Sequence, residues 1–410
     1  MLKNMWDDQK ILTYASLFKN PTRGSTRGTS RTRSEAFHVD FNVNKEPLSR
    51  GLIRGRRILD RNWKPVVPKP PKIDTSNEPT AEKEEDYFKS YDKITIHREM
   101  LQDTVRTEAY QRAIMENSMY FKDKIVMDVG CGTGILSLFA AKAGAALVIG
   151  IDASNIIDLA QKVLDDQPAD VASRIVLVKS KVEDITELPK GIKYVDIIVS
   201  EWMGYCLLFE SMLDTVIYAR DKWLKKGGLM YPDKVSLYVA GMQDRERRDQ
   251  ERSWWYNAYD FNLSAMRKWT DKTAIVEQVD KRKIVTNHCL LKEFDLNTVR
   301  VKDLTFKASM KLDVEAECEI QAIVAYFTAE FNHCHTQILM TTTMDERLTH
   351  WKQTVFYLKE NFIVKENDKV TGEFILRPNK FNRRKLDFQI ILNHIGYNKT
   401  YYTKENFVMY

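Results

Sequence analysis

The sequence predicts an α/β domain with a parallel sheet, followed by a second domain built mainly from antiparallel strands. The first prediction depends on four short β-branched runs separated by helix-compatible stretches, at residues 124–130, 146–152, 174–180 and 194–200. This alternation of strand and helix is typical of a parallel sheet. Beyond residue 228, strand-like runs joined by polar turns replace the helical pattern, which favours antiparallel pairing.

The first 80 residues are expected to form a disordered basic extension. They hold 16 Lys or Arg against 8 Asp or Glu, so the remaining 330 residues carry a net charge of −2 within the overall +6. Residues 21–34 contain no apolar side chain and residues 65–72 are rich in proline, so neither run can offset its ordering entropy by burial. A slightly acidic body does not suit nucleic-acid binding and instead favours basic substrates.

Cysteine spacing and hydropathy predict a protein of a reducing compartment. The five cysteines form no Cys-x-x-Cys pair, so neither a zinc cluster nor a disulfide framework is expected. No apolar run approaches the roughly 20 residues of a membrane span, and the first residues lack a signal-peptide hydrophobic region. We therefore expect a protein of the cytoplasm and nucleus without membrane association. The triplet His333-Cys334-His335 has no further ligand at a suitable spacing, so no metal is expected.

The changes in pattern also set the domain bounds. Residues 81–230 are assigned to the α/β domain and residues 231–410 to the β domain. The α/β domain begins with a helix-compatible segment, residues 84–119, that contains neither Gly nor Pro. In the β domain, residues 244–267 interrupt the strands with a charged, aromatic-rich segment. This segment predicts a helical insertion whose aromatic residues are either core or an oligomer contact.

A glycine-rich turn joins the first predicted strand to the following helix. It contains Asp128, Gly130, Gly132 and Gly134, and its Gly-x-Gly-x-Gly spacing differs from the Gly-x-Gly-x-x-Gly of dinucleotide sites. Closely spaced glycines let a ligand lie against the backbone at a helix N-terminus. S-adenosylmethionine lacks a pyrophosphate, so this tighter turn is compatible with that cofactor, although a glycine turn alone is a weak signal.

Carboxylates follow the second and third predicted strands, at the edge where open parallel sheets bind ligands. Asp152 ends the second strand, 22 residues after Gly130, where an acid commonly binds ribose hydroxyls. Glu183 follows the third strand, where its carboxylate can accept a hydrogen bond from an adenine amino group. Because turns are generally rich in acids, an exposed turn acid is the alternative for Glu183.

Two further carboxylates bracket an apolar segment after the fourth predicted strand. Residues 200–211 read Ser-Glu-Trp-Met-Gly-Tyr-Cys-Leu-Leu-Phe-Glu-Ser, and the two acids are Glu201 and Glu210. Two acids in apolar surroundings are costly unless a cation neutralises them, and the fork of a guanidinium matches carboxylate geometry. The segment therefore favours a pair of carboxylates that bind an arginine side chain.

The segment SEWMGYCLLFESML resembles the double-glutamate loop of type I protein arginine methyltransferases. The likeness extends over nearly all of residues 84–410, through the glycine turn and the motifs YFKSYDKITIHREMLQDTVRTEAY, VED, WLKKGGLMYPDK and LTHWKQTVFYL. Several independent motifs in the right order make this resemblance much stronger than one motif. It implies a class I, Rossmann-like S-adenosylmethionine-dependent methyltransferase domain, followed by an antiparallel β-barrel-like domain with a helical dimerisation arm at about residues 244–267.

The resemblance also implies roles for particular residues. The family's cofactor-contacting positions are matched by His97, Arg106, Gly130, Asp152 and Glu183, and positions close to the methyl donor by Phe88, Tyr91 and Met100. The guanidinium clamp is matched by Glu201 and Glu210, and the arginine pocket by Tyr87, Met203, His350 and Trp351. The proton acceptor is left open between a clamp glutamate and His350. The family usually has Glu where this chain has Asp152, so ribose binding is expected to survive with weaker affinity.

The resemblance implies methyl transfer from S-adenosylmethionine to guanidino nitrogens of protein arginines, giving monomethyl- and asymmetric dimethylarginine. Expected partners are arginine- and glycine-rich proteins, with histones and RNA-binding proteins as examples, and a second copy of the chain in a homodimer; direct nucleic-acid binding is not expected. Two alternatives stand beside this interpretation. A nucleic-acid amino-methyltransferase would carry an Asp/Asn/Ser-Pro-Pro-aromatic motif where this chain has Ser-Glu-Trp-Met. A catalytically silent scaffold would keep the fold and the dimer and lose the chemistry, and a loss of cofactor binding through Asp152 is one way in which this could happen.

Overall fold

The computed structural model describes residues 81–266, 272–396 and 400–410. The extension predicted to be disordered, residues 1–80, lies outside this part of the chain, and so does residue 267 at the end of the predicted insertion. Among the described residues, no helix is both long enough and apolar enough to cross a membrane.

The segment predicted to be helical at residues 84–119 forms four helices rather than one. They are α1 (Ala81–Ser90), α2 (Ile94–Gln102), α3 (Thr104–Met115) and α4 (Ser118–Phe121). Lys93 and Asp103 adopt extended backbone conformations ahead of α2 and α3, which ends each helix without Gly or Pro. The Asp103 carboxylate accepts the Arg106 backbone N–H at 3.1 Å and so caps α3, whose first N–H groups lack helical partners.

A five-stranded parallel sheet confirms the predicted α/β fold. Its strands are β1 (Ile125–Val129), β2 (Leu147–Asp152), β3 (Ile175–Lys179), β4 (Val195–Val199) and β5 (Leu224–Tyr231). They lie in the order β3-β2-β1-β4-β5. The chain winds outward from β1 to β3 and then returns to β4 on the other side of β1. The carboxyl ends of β1 and β4 therefore border the crevice in which open sheets bind ligands.

Helices between the strands position the carboxyl edge of this sheet. They are α5 (Ile135–Lys142), α6 (Ile157–Asp165), α7 (Ala169–Ala172) and α8 (Met212–Trp223). Helix α5 begins directly after the glycine turn and buries Leu136 and Ala140, and α8 buries Val216 and Trp223. Each buried CH₂ group contributes about 0.8 kcal/mol, so these apolar faces fix the helices against the sheet.

After β5 the chain forms two antiparallel sheets, as predicted for the barrel-like domain. Their strands are β6 (Lys234–Met242), β7 (Ile275–Glu277), β8 (Cys289–Asp295), β9 (Phe306–Asp313), β10 (Cys318–Phe331), β11 (Ile338–Thr341), β12 (Gln353–Val364), β13 (Lys369–Pro378), β14 (Leu386–Ile395) and β15 (Thr400–Met409). One sheet has the order β7-β12-β10-β6-β8 with β11 beside β10, and the other the order β15-β14-β13-β9. The ring of Phe356 in the first sheet contacts Phe374, Phe388 and Phe407 of the second, with centroids 4.9 to 5.7 Å apart. An aromatic core thus joins the two sheets.

In the described part of the predicted insertion, α9 (Arg245–Tyr256) is followed by a loop and a short 3-10 helix, Ser264–Met266. Asp244 accepts the Arg247 backbone N–H at 3.4 Å at the start of this helix. Tyr256, Tyr259 and Phe261 are 55%, 87% and 69% exposed. These three aromatic residues are therefore not core, and their role as an oligomer contact stays a prediction.

Candidate active site

One cavity at the carboxyl edge of the parallel sheet brings together most of the predicted site residues. Its walls include Tyr87, Phe88, Tyr91, His97, Met100, Arg106, Gly130, Gly132, Asp152, Glu183, Glu201, Met203, Glu210, His350 and Trp351. Asp128 and Gly134 do not line it. Asp128 is buried behind the glycine turn, where the Ser137 hydroxyl donates to it at 2.7 Å and burial raises its pKa to about 7. Gly134 precedes α5 with a φ of +85°, a backbone conformation that glycine adopts without strain.

A side chain at Gly132 would crowd the ring of His97, so glycine at this position keeps the turn open. Gly132 has a φ of +55°, and a Cβ at this position would lie 3.3 Å from the imidazole of His97. The Nε2–H of His97 donates to the Tyr91 backbone oxygen at 2.7 Å, and burial lowers the pKa of His97. The neutral ring therefore presents Nδ1 toward the turn as a hydrogen-bond acceptor.

Asp152 is fixed at the end of β2 by three hydrogen bonds from the protein itself. Its Oδ2 accepts the Gly132 N–H at 2.8 Å, and its Oδ1 accepts the N–H and the hydroxyl of Ser154 at 2.8 and 2.6 Å. A carboxylate offers about four acceptor positions, so only one of them is left for a ribose hydroxyl. The short side chain is placed at the cavity but is largely engaged by the loop.

Replacing Asp152 with Glu is expected to tighten S-adenosylhomocysteine binding about threefold or more, because the longer side chain extends beyond Ser154 and can accept from both ribose hydroxyls. Replacing Asp152 with Asn is expected to weaken binding about tenfold or more, since a hydrogen bond to a charged acceptor contributes about 1.5–3 kcal/mol. Isothermal titration calorimetry measures both affinities. Equal affinities for the wild type and the two variants would show that Asp152 makes no ribose contact.

Glu183 lines the cavity from the 3-10 turn Val182–Asp184 that follows β3. The Thr215 hydroxyl donates to Glu183 Oε1 at 2.6 Å, and the Tyr218 hydroxyl donates to the Glu183 backbone oxygen at 3.2 Å. The side chain is also exposed to solvent. Glu183 is therefore exposed at the cavity wall, where Thr215 of α8 orients its carboxylate, and its contact with an adenine amino group stays a prediction.

Glu201 forms a buried ion pair with Arg106. Arg106 Nε donates to Glu201 Oε2 at 2.7 Å, and the two side chains are only 10% and 7% exposed. Arg106 Nη1 also donates to the Met100 backbone oxygen at 3.0 Å. The other carboxylate oxygen, Glu201 Oε1, is buried without a hydrogen-bond partner in the described part of the chain. Because an unpaired buried acceptor is costly, Oε1 is placed for a donor that comes from outside the protein.

The backbone of Glu210 has an unusual conformation, and its carboxylate accepts hydrogen bonds from tyrosines of the chain before α2. Its φ is +74°, and Cys206, Leu207 and Ser211 also have positive φ values, a conformation that non-glycine residues keep mainly at functional sites. The Tyr91 hydroxyl donates to Glu210 Oε2 at 2.6 Å. Burial raises the pKa of Glu210 despite hydrogen bonds from Tyr91 and Tyr87 that lower it. A cation beside this carboxylate would favour its ionised form.

His350 is oriented in the cavity by Asp103. Its Nδ1–H donates to Asp103 Oδ2 at 2.7 Å, and its backbone N–H donates to the same oxygen at 2.9 Å. Burial by itself raises the pKa of Asp103, but the hydrogen bonds from His350 and from the Arg106 N–H outweigh burial and lower it. The ionised Asp103 holds the proton on Nδ1, so Nε2 is the ring nitrogen left to accept a proton.

Two aromatic residues, Trp351 and Tyr110, contact Met203, which lies between Glu201 and Glu210 in the sequence. Trp351 Nε1 donates to the Met203 backbone oxygen at 2.8 Å. The Tyr110 hydroxyl donates to the Ser200 backbone oxygen at 2.9 Å and lies 3.7 Å from the Met203 sulfur. All four side chains are buried. Residues of α3 and of the β domain therefore both hold the segment that carries Glu201.

Sequence reasoning missed three residues that organise this site, namely Asp103, Tyr110 and Arg384. Asp103 stands before Thr104 in a pattern typical of a helix N-cap, a signal that predicts the cap but not the contact with His350. Arg384 lies 174 residues beyond Glu210 and donates to its backbone oxygen. No local sequence pattern marks such a long-range contact.

Two family models match the chain. The model described as a methyltransferase domain matches residues 126–228, and the arginine methyltransferase oligomerization subdomain matches residues 233–396. Protein arginine N-methyltransferase 1 of Caenorhabditis elegans is 49% identical over 310 residues, which cover 76% of this chain and 88% of that protein. The protein of the same name from Saccharomyces cerevisiae is 44% identical over 322 residues, which cover 77% of this chain and 91% of that protein.

A solved structure with the same fold is the Trypanosoma brucei PRMT1 enzyme-prozyme heterotetrameric complex with AdoHcy. Its matching chain is 37% identical, with a TM-score of 0.75, and the match covers 78% of this chain and 100% of that chain. The similarity therefore spans the parallel sheet, the antiparallel sheets and the cavity at the edge of the former. This chain belongs to the protein arginine N-methyltransferase family.

Proposed function

We propose that this protein arginine N-methyltransferase is a type I enzyme, which places two methyl groups on one guanidino nitrogen and gives asymmetric dimethylarginine. The chain methylates protein arginines and takes the methyl group from S-adenosylmethionine. The observation that carries the arginine site is the presence of Glu201 and Glu210 in one cavity with the glycine turn. The type I product is supported by Met100 and Met203 in the same cavity, because flexible thioether chains can repack around a nitrogen that already carries a methyl group.

The residues around the cavity fit S-adenosylmethionine. This cofactor carries the methyl group on a sulfonium, and the thioether that leaves on transfer is neutral. The guanidinium of Arg106 suits a carboxylate end, and Asp152 retains an acceptor position for ribose. Gly132 keeps open the space that a side chain would fill. Glu183 can accept from an adenine amino group. The polar groups of one ligand thus find partners of the right kind on α3 and at the carboxyl ends of β1, β2 and β3.

Glu201 and Glu210 act on the nucleophile, which is the difficult partner because an arginine side chain is protonated and delocalised at neutral pH. Glu201 Oε1 is a buried acceptor without a partner among the described residues, and Glu210 is fixed by Tyr91. Carboxylates at these positions hold the guanidinium by its N–H groups and draw positive charge away from the attacking nitrogen. Its lone pair then points at the methyl group, and this orientation supplies much of the acceleration.

His350 accepts the proton that leaves the guanidino nitrogen as the new N–C bond forms. Its Nε2 is available because the ionised Asp103 holds the proton at Nδ1. Asp103 also stabilises the positive charge that the ring gains, as the carboxylate does in other Asp-His pairs. The ring then releases the proton to water and returns to its starting state.

Incubating the chain with S-adenosylmethionine and a Gly-Arg-rich peptide is expected to yield monomethylarginine first and asymmetric dimethylarginine later. Mass spectrometry of the hydrolysed peptide measures both products. A peptide with Lys in place of Arg is the control and should remain unmodified. Symmetric dimethylarginine, or monomethylarginine alone after prolonged incubation, would contradict the type I assignment. Methyl transfer to RNA in place of the peptide would favour a nucleic-acid methyltransferase.

Residues 233–396 match the arginine methyltransferase oligomerization subdomain, and we propose that the chain forms a homodimer through the insertion at about residues 244–267. The exposed Tyr259 and Phe261 support this contact, because aromatic side chains often dominate interface energies. Light scattering at micromolar concentration should give a dimer, and changing both residues to Ser should give a monomer. Ile395→Ser is the matched control, since this side chain is 83% exposed outside the insertion. A monomeric wild type would count against the homodimer.

We propose that the substrates are arginine- and glycine-rich proteins, including histones and RNA-binding proteins. We also propose that the protein is located in the cytoplasm and nucleus. The net charge of −2 on residues 81–410 supports basic substrates, which an acidic surface attracts. Cell fractionation with an antibody against the chain tests the location. Recovery mainly from a membrane or organelle fraction would contradict it.

A further inference from the structure

The turn between β13 and β14 holds the backbone of Glu210 on both sides. The Glu210 N–H donates to the Arg384 backbone oxygen at 2.7 Å, and Arg384 Nη1 donates to the Glu210 backbone oxygen at 2.8 Å. Glu210 has a φ of +74°, which costs free energy unless neighbouring structure fixes it. A single residue of the β domain therefore pairs both backbone polar groups of a strained carboxylate-bearing residue.

The same guanidinium also covers helix α1. Its central carbon lies 3.6 Å from the centre of the Tyr87 ring and 5.4 Å from that of Phe88. Its Nη2 lies 4.0 Å from Glu84 Oε1. The flat guanidinium can stack on a ring while its edge donates hydrogen bonds, which an ammonium cannot do in the same geometry. Arg384 therefore connects α1, Glu210 and the β domain.

Helix α1 has little apolar burial to hold it in place. None of its side chains at residues 84–90 is buried. Besides Arg384, Lys181 pairs with Glu84 and lies 5.3 Å from the Phe88 ring centre. Elements with few buried apolar contacts open at low free-energy cost, so contacts of this kind decide how often α1 covers the cavity.

We propose that Arg384 is a positioning residue that couples the seating of α1 over the cavity to the placement of Glu210. The proposal rests on the proposed role of Glu210 in binding the guanidinium of the substrate. Arg384 Nη1 donates to the Glu210 backbone oxygen while the guanidinium covers the Tyr87 ring, so its function is to hold Glu210 and Tyr87 in one arrangement. Glu210 is then correctly placed for the substrate when α1 is closed.

Three variants of the full chain separate this coupling from a general loss of structure. Arg384→Met removes the charge and the donors at similar volume, and is expected to lower kcat at saturating cofactor about 10- to 100-fold. Lys181→Met loosens α1 but leaves the contacts between Arg384 and Glu210 in place, and is expected to raise the KM for cofactor. Its kcat should fall much less than that of Arg384→Met, because saturating cofactor favours the closed position of α1. Arg383→Met is the matched control, because Arg383 lies in the same turn and pairs with Asp214 at 2.9 Å. Its kcat and KM should stay near wild type.

Hydrogen exchange with S-adenosylhomocysteine bound tests the coupling independently of the methylated product. Arg384→Met is expected to exchange about tenfold faster at residues 84–91, with unchanged exchange in β1 and β10. A wild-type rate at residues 84–91, or a kcat within about twofold of wild type, would overturn the proposal. Should Arg384→Met fail to fold, Arg384→Lys keeps the charge and is expected to give an intermediate kcat. Failure of the type I assignment would instead change the product and leave these exchange rates as expected.

The pH profile of kcat is a further test, because a purely structural role of Arg384 would leave this profile unchanged. The groups that face Glu210 are Tyr87, Tyr91, Arg384 and Glu201, and the charge of Arg384 lowers the pKa of Glu210 against burial. Glu210 must be ionised to bind a cation, so activity is lost as the pH falls through its pKa. Arg384→Met should raise this pKa and move the acid limb to higher pH. An unmoved acid limb would contradict the placement of Arg384 beside Glu210.

Discussion

Glu201→Gln and Glu210→Gln are each expected to lower kcat about a thousandfold, because each removes a negative charge aimed at the developing reaction centre. In the first variant the Arg106 guanidinium, paired with Glu201 at 2.7 Å, would lose its counter-charge and repel the substrate guanidinium. In the second, the cation would meet a neutral amide beside Tyr91. Steady-state methylation of a Gly-Arg-rich peptide measures both effects.

Cofactor binding and a matched acid serve as controls for the two glutamine variants. The affinity for S-adenosylhomocysteine should stay within about threefold of wild type, because Asp152 and the glycine turn are untouched and Arg106 keeps its hydrogen bond to the Met100 backbone oxygen. Glu99 also lines the cavity but is exposed, so Glu99→Gln should retain most of the activity. A near-normal kcat in either Glu201→Gln or Glu210→Gln would contradict a carboxylate pair that binds the guanidinium.

Asp103→Asn is expected to lower kcat about 10²- to 10⁴-fold, the range that proton transfer by a positioned side chain contributes. Asn caps helices about as well as Asp, so the start of α3 should persist while the charge that orients His350 is lost. His350→Gln should give a loss of similar size, and the double variant should be no worse than the worse single variant. Additive losses, or a kcat close to wild type in Asp103→Asn, would show that the two residues do not act together.

The lowered pKa of Asp103 also has a consequence for stability, with a defined sign. Because the folded pKa lies below the usual value of 3.8, ionised Asp103 stabilises the folded state above that value and loses this contribution as the pH falls through the folded pKa. The free energy of unfolding of Asp103→Asn should therefore be lower than that of the wild type at pH 7. Urea titrations near pH 3 should give a smaller difference between the two proteins.

The strands could be predicted from the sequence because their signal is local. Each strand β1 to β4 is a short β-branched run between helical stretches, and parallel pairing follows from that alternation. The helical segment before β1 was harder, since Lys93 and Asp103 interrupt it by backbone conformation alone. In sequence, a polar residue such as Asp103 can stand either inside a helix or at its start. The end of one helix and the start of the next therefore depend on tertiary contacts, such as that of Asp103 with His350.

The residue types at the site could also be predicted, but not the way in which they pair. The positions of Glu201 and Glu210 around an apolar segment indicate cation binding from residue types and spacing alone. Their partners come from remote segments: Arg106 from α3, Tyr91 from the chain before α2, and Arg384 from the β domain. Such pairs are set by packing of whole elements, which neither periodicity nor spacing describes.

The central claim is that Glu201 and Glu210 bind the guanidino group of a substrate arginine beside the methyl donor. A crystal structure of the chain with S-adenosylhomocysteine and an arginine peptide tests it most directly. We expect the guanidinium to donate to Glu201 Oε1 and to Glu210, with one nitrogen facing the cofactor sulfur. An arginine side chain bound elsewhere, with both glutamates turned toward solvent, would contradict the account.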